Sequence, residues 1–209
     1  MIVPTEEQRR IIEAPLAPLR VEAGAGTGKT ATVAMRIAAL VADHGIEPEQ
    51  VLCLTFTNKA AEELTDRVRS MLADVVGPGR EVEVHTYHGF ANDLLREFGV
   101  LVGVDRNTPV ITPTFARQLL RTALLAQPLD HLDVTNPFVT EKLLRLGSTI
   151  SDNLLAPEAV KPPASIPQGD PWLDRLDMLT VLATYHREKA RLGFADYGDL
   201  VRLAYRLIT

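Results

Sequence analysis

The chain has 209 residues, 46% of them hydrophobic and 23% charged, with a formal net charge of −5 and a single cysteine. This is ordinary globular material, sized for one large domain or one domain with a sizeable insertion, and able to bury a real core. No stretch approaches about eighteen continuous apolar residues and no N-terminal segment resembles a signal peptide, so neither a membrane span nor secretion is expected.

The expectation is a soluble, cytoplasmic protein with no membrane partner. Cys53, inside the apolar run 51–56, fits a buried thiol in a reducing compartment. The net charge argues neither for nor against nucleic acid, because a local basic stripe matters more than the total.

Thr5-Glu6-Glu7-Gln8 is a capping pattern, with Thr5 as N-cap and Gln8 at the third helical position. The short helix it opens ends before Ala14-Pro15-Leu16-Ala17-Pro18. A strand is expected at 19–23, and a helix with apolar residues at helical spacing from Lys29 to about His44, closed by Gly45.

Between them lies Ala23-Gly24-Ala25-Gly26-Thr27-Gly28-Lys29-Thr30, followed by Ala31. Small residues let backbone N–H groups approach a polyphosphate, and the following helix aims its positive end at the anion. Lys29 is placed to reach the outer phosphates and the Thr30 hydroxyl to hold Mg²⁺. Ala23 stands where the pattern G-x-x-x-x-G-K-[ST] has its first glycine, so the strict pattern is not met. The strand–loop–helix context makes a chance glycine-rich turn the poorer explanation; the chain binds a nucleoside triphosphate or descends from one that did.

A second strand is expected at 51–56 and a long helix at 58–76, where Ala61, Leu64, Val68, Leu72 and Val75 form an apolar stripe ended by Gly77-Pro78-Gly79. A third strand follows at 81–86 and a helix at 90–98. Alternating strand and helix over 19–98 predicts parallel βαβ units. In such a sheet ligands gather at the carboxyl ends of strands, which is where Phe56, Thr57, Asn58 and Lys59 fall, and Tyr87 and His88 after the third strand. A ring to stack a base beside small polar groups and a lysine for phosphate suits single-stranded nucleic acid. Taken alone, the first segment is more simply a core phenylalanine before an ordinary helix cap, and a lone histidine near a turn is usually structural.

From about 105 to 192 only helices are expected, one near 112–125, one from the Asn136-Pro137 start, and one over about 171–192. Prolines 157, 162, 163, 167 and 171 mark 156–171 as a loop or linker. A last helix is expected at about 197–207. Asp196 and Asp199 near its start suit capping and the helix dipole, and the charged run 186–191 suits a solvated helix face. Trp172 after Pro171 suits a packing anchor. The fold class is therefore α/β, a parallel-sheet core with an inserted all-α subdomain.

These pieces, in this order, resemble the UvrD/Rep/PcrA family of superfamily 1 DNA helicases. The match rests on Thr5–Gln8 (an adenine-reading Q motif), the phosphate loop, and Thr55-Phe56-Thr57-Asn58-Lys59-Ala60-Ala61-Glu62-Glu63-Leu64. It also rests on Tyr87-His88-Gly89-Phe90 and on Ala195-Asp196-Tyr197-Gly198-Asp199-Leu200. It spans roughly 1–100 and 180–209, with the middle matching only by position.

The resemblance implies a RecA-like P-loop core over 1–104, a helical insertion over 105–192, and a return helix over 193–209 before a strand carrying an Asp-Glu pair. It implies ATP and Mg²⁺ as cofactors. Gln8 would read adenine, the loop 23–31 would hold the nucleotide, Lys29 the β/γ-phosphates and Thr30 the Mg²⁺. Phe56, Thr57, Asn58, Lys59, Tyr87 and His88 would lie along DNA.

The implied activity is ATP-dependent 3′-to-5′ translocation on single-stranded DNA or a 3′-tailed duplex in repair or recombination. The implied partner is a second RecA-like domain of the same parent chain. Many members have arginine where this chain has Ala31, and serine where it has Gly89. An arginine finger is worth on the order of 10³–10⁵ in rate, and neither it nor the Asp-Glu pair is visible here, so weak hydrolysis by this piece is expected. A helicase–nuclease subunit, a stand-alone nucleotide-binding module and, more weakly, a P-loop kinase are the alternative readings.

Overall fold

A computed structural model of the chain describes residues 3–209. The described residues are mostly helical and carry one two-stranded parallel sheet. They divide into two compact units, one running to Phe90 and the other Ala91–Thr209.

The first unit starts with α1 (Glu6–Ile12), whose N-cap Thr5 and N3 residue Gln8 form a complete capping box. After a loop comes α2 (Lys29–Ala42), which buries Ala31, Thr32, Ala34, Ile37 and Val41 along one face. Strand β1 (Leu52–Thr55) leads into α3 (Asn58–Leu72), which buries Leu64, Val68 and Leu72, and then into β2 (Glu83–Thr86). The strands run parallel, with Leu52 opposite Glu83 and Thr55 opposite Thr86. The α2 and α3 faces meet over Val82 in one apolar cluster that also takes up Val51, Cys53 and Val84. Burial pushes the Cys53 thiol pKa up, which suits an inert core sulfur. At the amino-terminal edge of the sheet Arg80 pairs with both Glu47 and Glu49, and its guanidinium holds the Glu49 carboxyl down to about 2.

Two expectations fail in the first unit. Residues 19–23 do not form a strand; they run as unpaired backbone, with Leu19 and Val21 about half exposed. Alternating apolar residues mark a segment able to pair, yet a strand exists only where a neighbour supplies the other half of the ladder. β1 and β2 pair with each other, and among the described residues neither extends the sheet to 19–23. The helix expected at 90–98 begins earlier, as α4 (Tyr87–Phe98), because Thr86 Oγ1 accepts from the Gly89 N–H (3.0 Å) and caps the chain directly off β2. Tyr87 and His88 thus lie on a first helical turn, not in a loop.

The second unit holds the rest of α4, then α5 (Pro113–Leu125), α6 (Val139–Asp152), α7 (Pro171–Arg191) and α8 (Tyr197–Ile208). The α5, α6 and α7 helices build the larger core around Leu120, Leu143, Val181 and Leu182. Leu95 and Ala91 of α4 pack with Leu200 and Ala204 of α8 in a smaller one. A single parallel bridge, Val110 to Ala195, is its only strand-like pairing among the described residues. The start expected at Asn136-Pro137 is corrected. Asn136 accepts from the Phe138 N–H (2.9 Å) in a turn, and α6 begins at Val139. Asparagine's side chain serves a turn as readily as a cap.

Candidate functional site

The phosphate loop owes its shape to two glycines in the left-handed region, Gly26 at φ +75° and Gly28 at φ +80°. Gly28 is the N-cap of α2, and a Cβ there would meet Gln8 Nε2 at 3.0 Å. A side chain at 28 would thus be strained twice over, by backbone and by crowding. Inside the loop the Thr27 hydroxyl donates to the Gly24 carbonyl (3.0 Å).

Lys29 folds back on the loop, its Nζ donating to the carbonyls of Ala23 (3.1 Å) and Gly24 (2.6 Å). Gln8 uses both ends of its amide. Its Oε1 accepts from the Thr5 N–H (2.9 Å) and its Nε2 donates to the Thr27 carbonyl (3.0 Å), so the α1 capping box and the loop are one construction.

Ala25 and Thr30 are exposed, whereas Ala31 turns into the core. An arginine that sequence reading passed over completes the arrangement. Arg36 on α2 donates to the carbonyls of Ile12 (2.7 Å), Ala14 and Pro15 (3.1 Å), which clamps the end of α1 against α2. Its only sequence signal is a lone cation among the apolar residues of α2. The result is an exposed cluster of backbone N–H groups at a helix start, flanked by a lysine whose present partners are neutral oxygens. Anions bind such places well.

At the carboxyl ends of β1 and β2 the structure joins Phe56 and Tyr87, whose rings lie 5.2 Å apart at 45°. The register explains the meeting, since Thr55 pairs with Thr86 and each aromatic is the next residue. Phe56 is 87% exposed, which overturns the core-phenylalanine alternative. A ring kept in water beside a second ring is a platform with one face still open. Thr57 caps α3 through the Ala60 N–H (3.1 Å), Asn58 is exposed, and Lys59 stands 3.9 Å from Glu63 on the exposed face. His88 is exposed on the first turn of α4. A Cβ on Gly89 would stand 3.0 Å from the Thr86 hydroxyl, so a larger residue there would press on the cap of α4.

In the second unit the charged run 186–191 is only in part the solvated face that its composition implies, with Arg187 and Arg191 exposed but Lys189 turned inward. Lys189 is 2% exposed and its ammonium bonds Asp196 and Asp199, the latter at 2.6 Å. Tyr185 donates its hydroxyl to Asp196 (2.7 Å), and Arg202 reaches Asp199 (3.0 Å). Asp196 and Asp199 also form the capping box of α8.

Burial works against the Asp196 carboxylate, yet Lys189 and the hydrogen bonds from Tyr185 and Asp199 hold its pKa below the ordinary value. Burial drives the Tyr185 phenol far up and, together with Lys189, drives His186 down. Among the described residues no buried side-chain nitrogen or oxygen lacks a partner. The seven-residue separation of Lys189 from Asp196, across a helix end at Gly193, was the available signal.

The sequence pattern of the UvrD/REP helicase N-terminal domain matches residues 4–209. An ATP-dependent DNA helicase PcrA of Leuconostoc citreum is 30% identical over 201 residues, covering 96% of this chain and 25% of that protein. A PcrA of Staphylococcus aureus is 28% identical over the same length, covering 96% and 26%. An ATP-dependent DNA helicase UvrD2 of Mycobacterium bovis is 34% identical over 204 residues, covering 94% and 28%. The chain thus spans about a quarter of the length of these relatives. With the match running over nearly its whole length, the chain belongs to the UvrD/REP helicase N-terminal domain family.

Proposed function

We propose that the chain is the ATP-binding N-terminal part of an ATP-dependent DNA helicase, one that moves 3′ to 5′ along single-stranded DNA in the cytoplasm during repair or recombination. In this reading residues 1–104 begin a RecA-like core, 105–192 are its helical insertion, and 193–209 return to the core. The observation that carries the reading is the union of Gln8 and the loop, with Lys29 resting on the Ala23 and Gly24 carbonyls.

Phosphate oxygens would replace those two carbonyls, turning neutral acceptors into charged ones and strengthening each bond. The N–H groups at the start of α2 face the same anion. Gln8, held by Thr5 and Thr27, would read an adenine edge. The exposed Thr30 hydroxyl is the residue that would hold Mg²⁺, whose chemistry is to neutralise charge on the outer phosphates. DNA would stack on Phe56 and Tyr87, with Thr57, Asn58, Lys59 and His88 along its backbone. A second RecA-like domain would supply the remaining catalytic groups, so the 209-residue chain alone binds ATP without rapid turnover.

Titration of the chain with a fluorescent ATP analogue and Mg²⁺ tests the nucleotide half. Saturable binding that Lys29→Ala weakens supports it, and no binding by the wild-type chain overturns it. DNA-stimulated ATPase by the 209-residue chain would contradict the division of labour.

A further inference from the structure

The first half of α6 and the start of α7 leave an open groove inside the second unit. Phe138, Lys142, Arg145 and Thr149 recur at helical spacing and line its α6 side, and Arg175 and Met178 line its α7 side. Beside it the two helices are in close contact, since a Cβ on Gly147 would meet Leu182 Cδ2 at 3.2 Å. The floor is apolar, made by half-buried Leu146 and buried Met178. At its end stands Phe138, 69% exposed although it is a large aromatic.

The rim carries three exposed cations. Lys142, Arg145 and Arg175 make no ion pair within 4.0 Å among the described residues, although Lys142 helps to hold the pKa of nearby Asp133 down. The one carboxylate in the groove, Glu141, is already engaged by Arg117 at 3.5 Å, and Arg175 lies 5.2 Å over the Trp172 ring. A chain of net charge −5 thus keeps a locally cationic, apolar-floored groove.

We propose that this groove is a docking site for an acidic amphipathic helix of a partner protein. Leucine-like side chains of the partner enter over Leu146 and Met178 and against Phe138, and its carboxylates meet Lys142, Arg145 and Arg175. A thioether in the floor suits adaptable apolar packing. Charge complementarity selects the occupant and steers its approach. A nucleic-acid backbone would use the cations and leave the apolar floor uncovered, which is why a peptide fits better.

The test uses the 209-residue chain and a fluorescein-labelled synthetic helix of leucine and glutamate, about four turns long. Three labelled controls accompany it: a shuffled peptide, the same helix with lysine for glutamate, and an oligothymidine. The leucine–glutamate helix is expected to bind in anisotropy titrations, about tenfold tighter than either control peptide, and Lys142→Glu with Arg145→Glu to abolish the difference. Phe138→Ser weakens it without a change of charge. The replaced residues are exposed, and Arg145→Gln offers a milder variant should the double reversal melt early. Equal binding of the shuffled peptide, indifference to the charge reversals, or no binding at all overturns the proposal. Oligothymidine that binds, loses affinity on the same reversals and displaces the helix reassigns the groove to nucleic acid.

Discussion

Two lysines in this chain each hold two oxygens, and they differ in how readily those bonds can be exchanged. Lys29 bonds neutral backbone carbonyls on an exposed loop. Lys189 bonds two carboxylates with 2% of its surface exposed. The first set of bonds is exchangeable, because water or a phosphate replaces a carbonyl at small cost. The second is not, since any departure of the ammonium leaves half-buried Asp196 without its cation and buried Asp199 with Arg202 alone. A lysine that serves a ligand must have partners it can leave.

The comparison is broken most directly at Lys189. Lys189→Met is expected to destabilise the chain by about 3–5 kcal/mol, read as a large loss in urea or thermal unfolding, while leaving nucleotide affinity of the surviving folded protein intact. Adding Asp196→Asn, which keeps the cap of α8 but removes one charge, should recover part of the loss; no recovery would mean that packing, not charge, holds α7 to α8.

Lys29→Ala should do the opposite. Its expected cost is about 1.5–3 kcal/mol of ATP affinity, set by a charge-assisted hydrogen bond, and less than about 0.5 kcal/mol of stability, set by its exposure. Equal damage to both quantities would erase the distinction drawn above.

Phe56→Ala is expected to cost about 1–3 kcal/mol of single-stranded DNA affinity, the usual worth of one stacked base, again with little change in unfolding. Retained DNA affinity in this variant would remove the Phe56–Tyr87 pair from the binding surface.

The smallest effect is a pH dependence. His186 is surrounded by Lys189, Asp199, Asp196, Arg202 and Tyr185, and burial keeps its native pKa below 6.5. The unfolded chain therefore binds its proton first, and stability contributed by neutral His186 is full above pH 6.5 and lost as pH falls from there toward the native value. Asp196, with its pKa lowered below 3.8, contributes stability that persists above 3.8 and fails only in stronger acid. Unfolding free energies at neutral and mildly acidic pH should differ, and His186→Gln should flatten that slope; an unchanged slope would place the titration elsewhere.

Much of this was legible in the order of residues. The Thr5–Gln8 box, Pro171 at a helix start and the Asp196–Asp199 cap all stand where they were expected. Each is written within three or four residues, and a cap works through atoms that local chain geometry alone brings together. The expected strand at 19–23 and the solvated face at 186–191 fared worse. A strand is half of a ladder whose other half lies elsewhere, and a charged run is solvated only if no counter-ion arrives from another helix.

For this protein the sequence by itself determined the glycine-rich loop, the existence of the main helices and several of their caps, because glycine torsions, caps and periodicity are properties of short segments. The tertiary structure alone decided that Gln8 grips the loop, that Arg36 clamps α1 to α2, that Phe56 meets Tyr87, and that Lys189 is buried between two aspartates. Every one of those depends on which distant segments share a surface, and burial, unlike torsion, is not a local property of the chain.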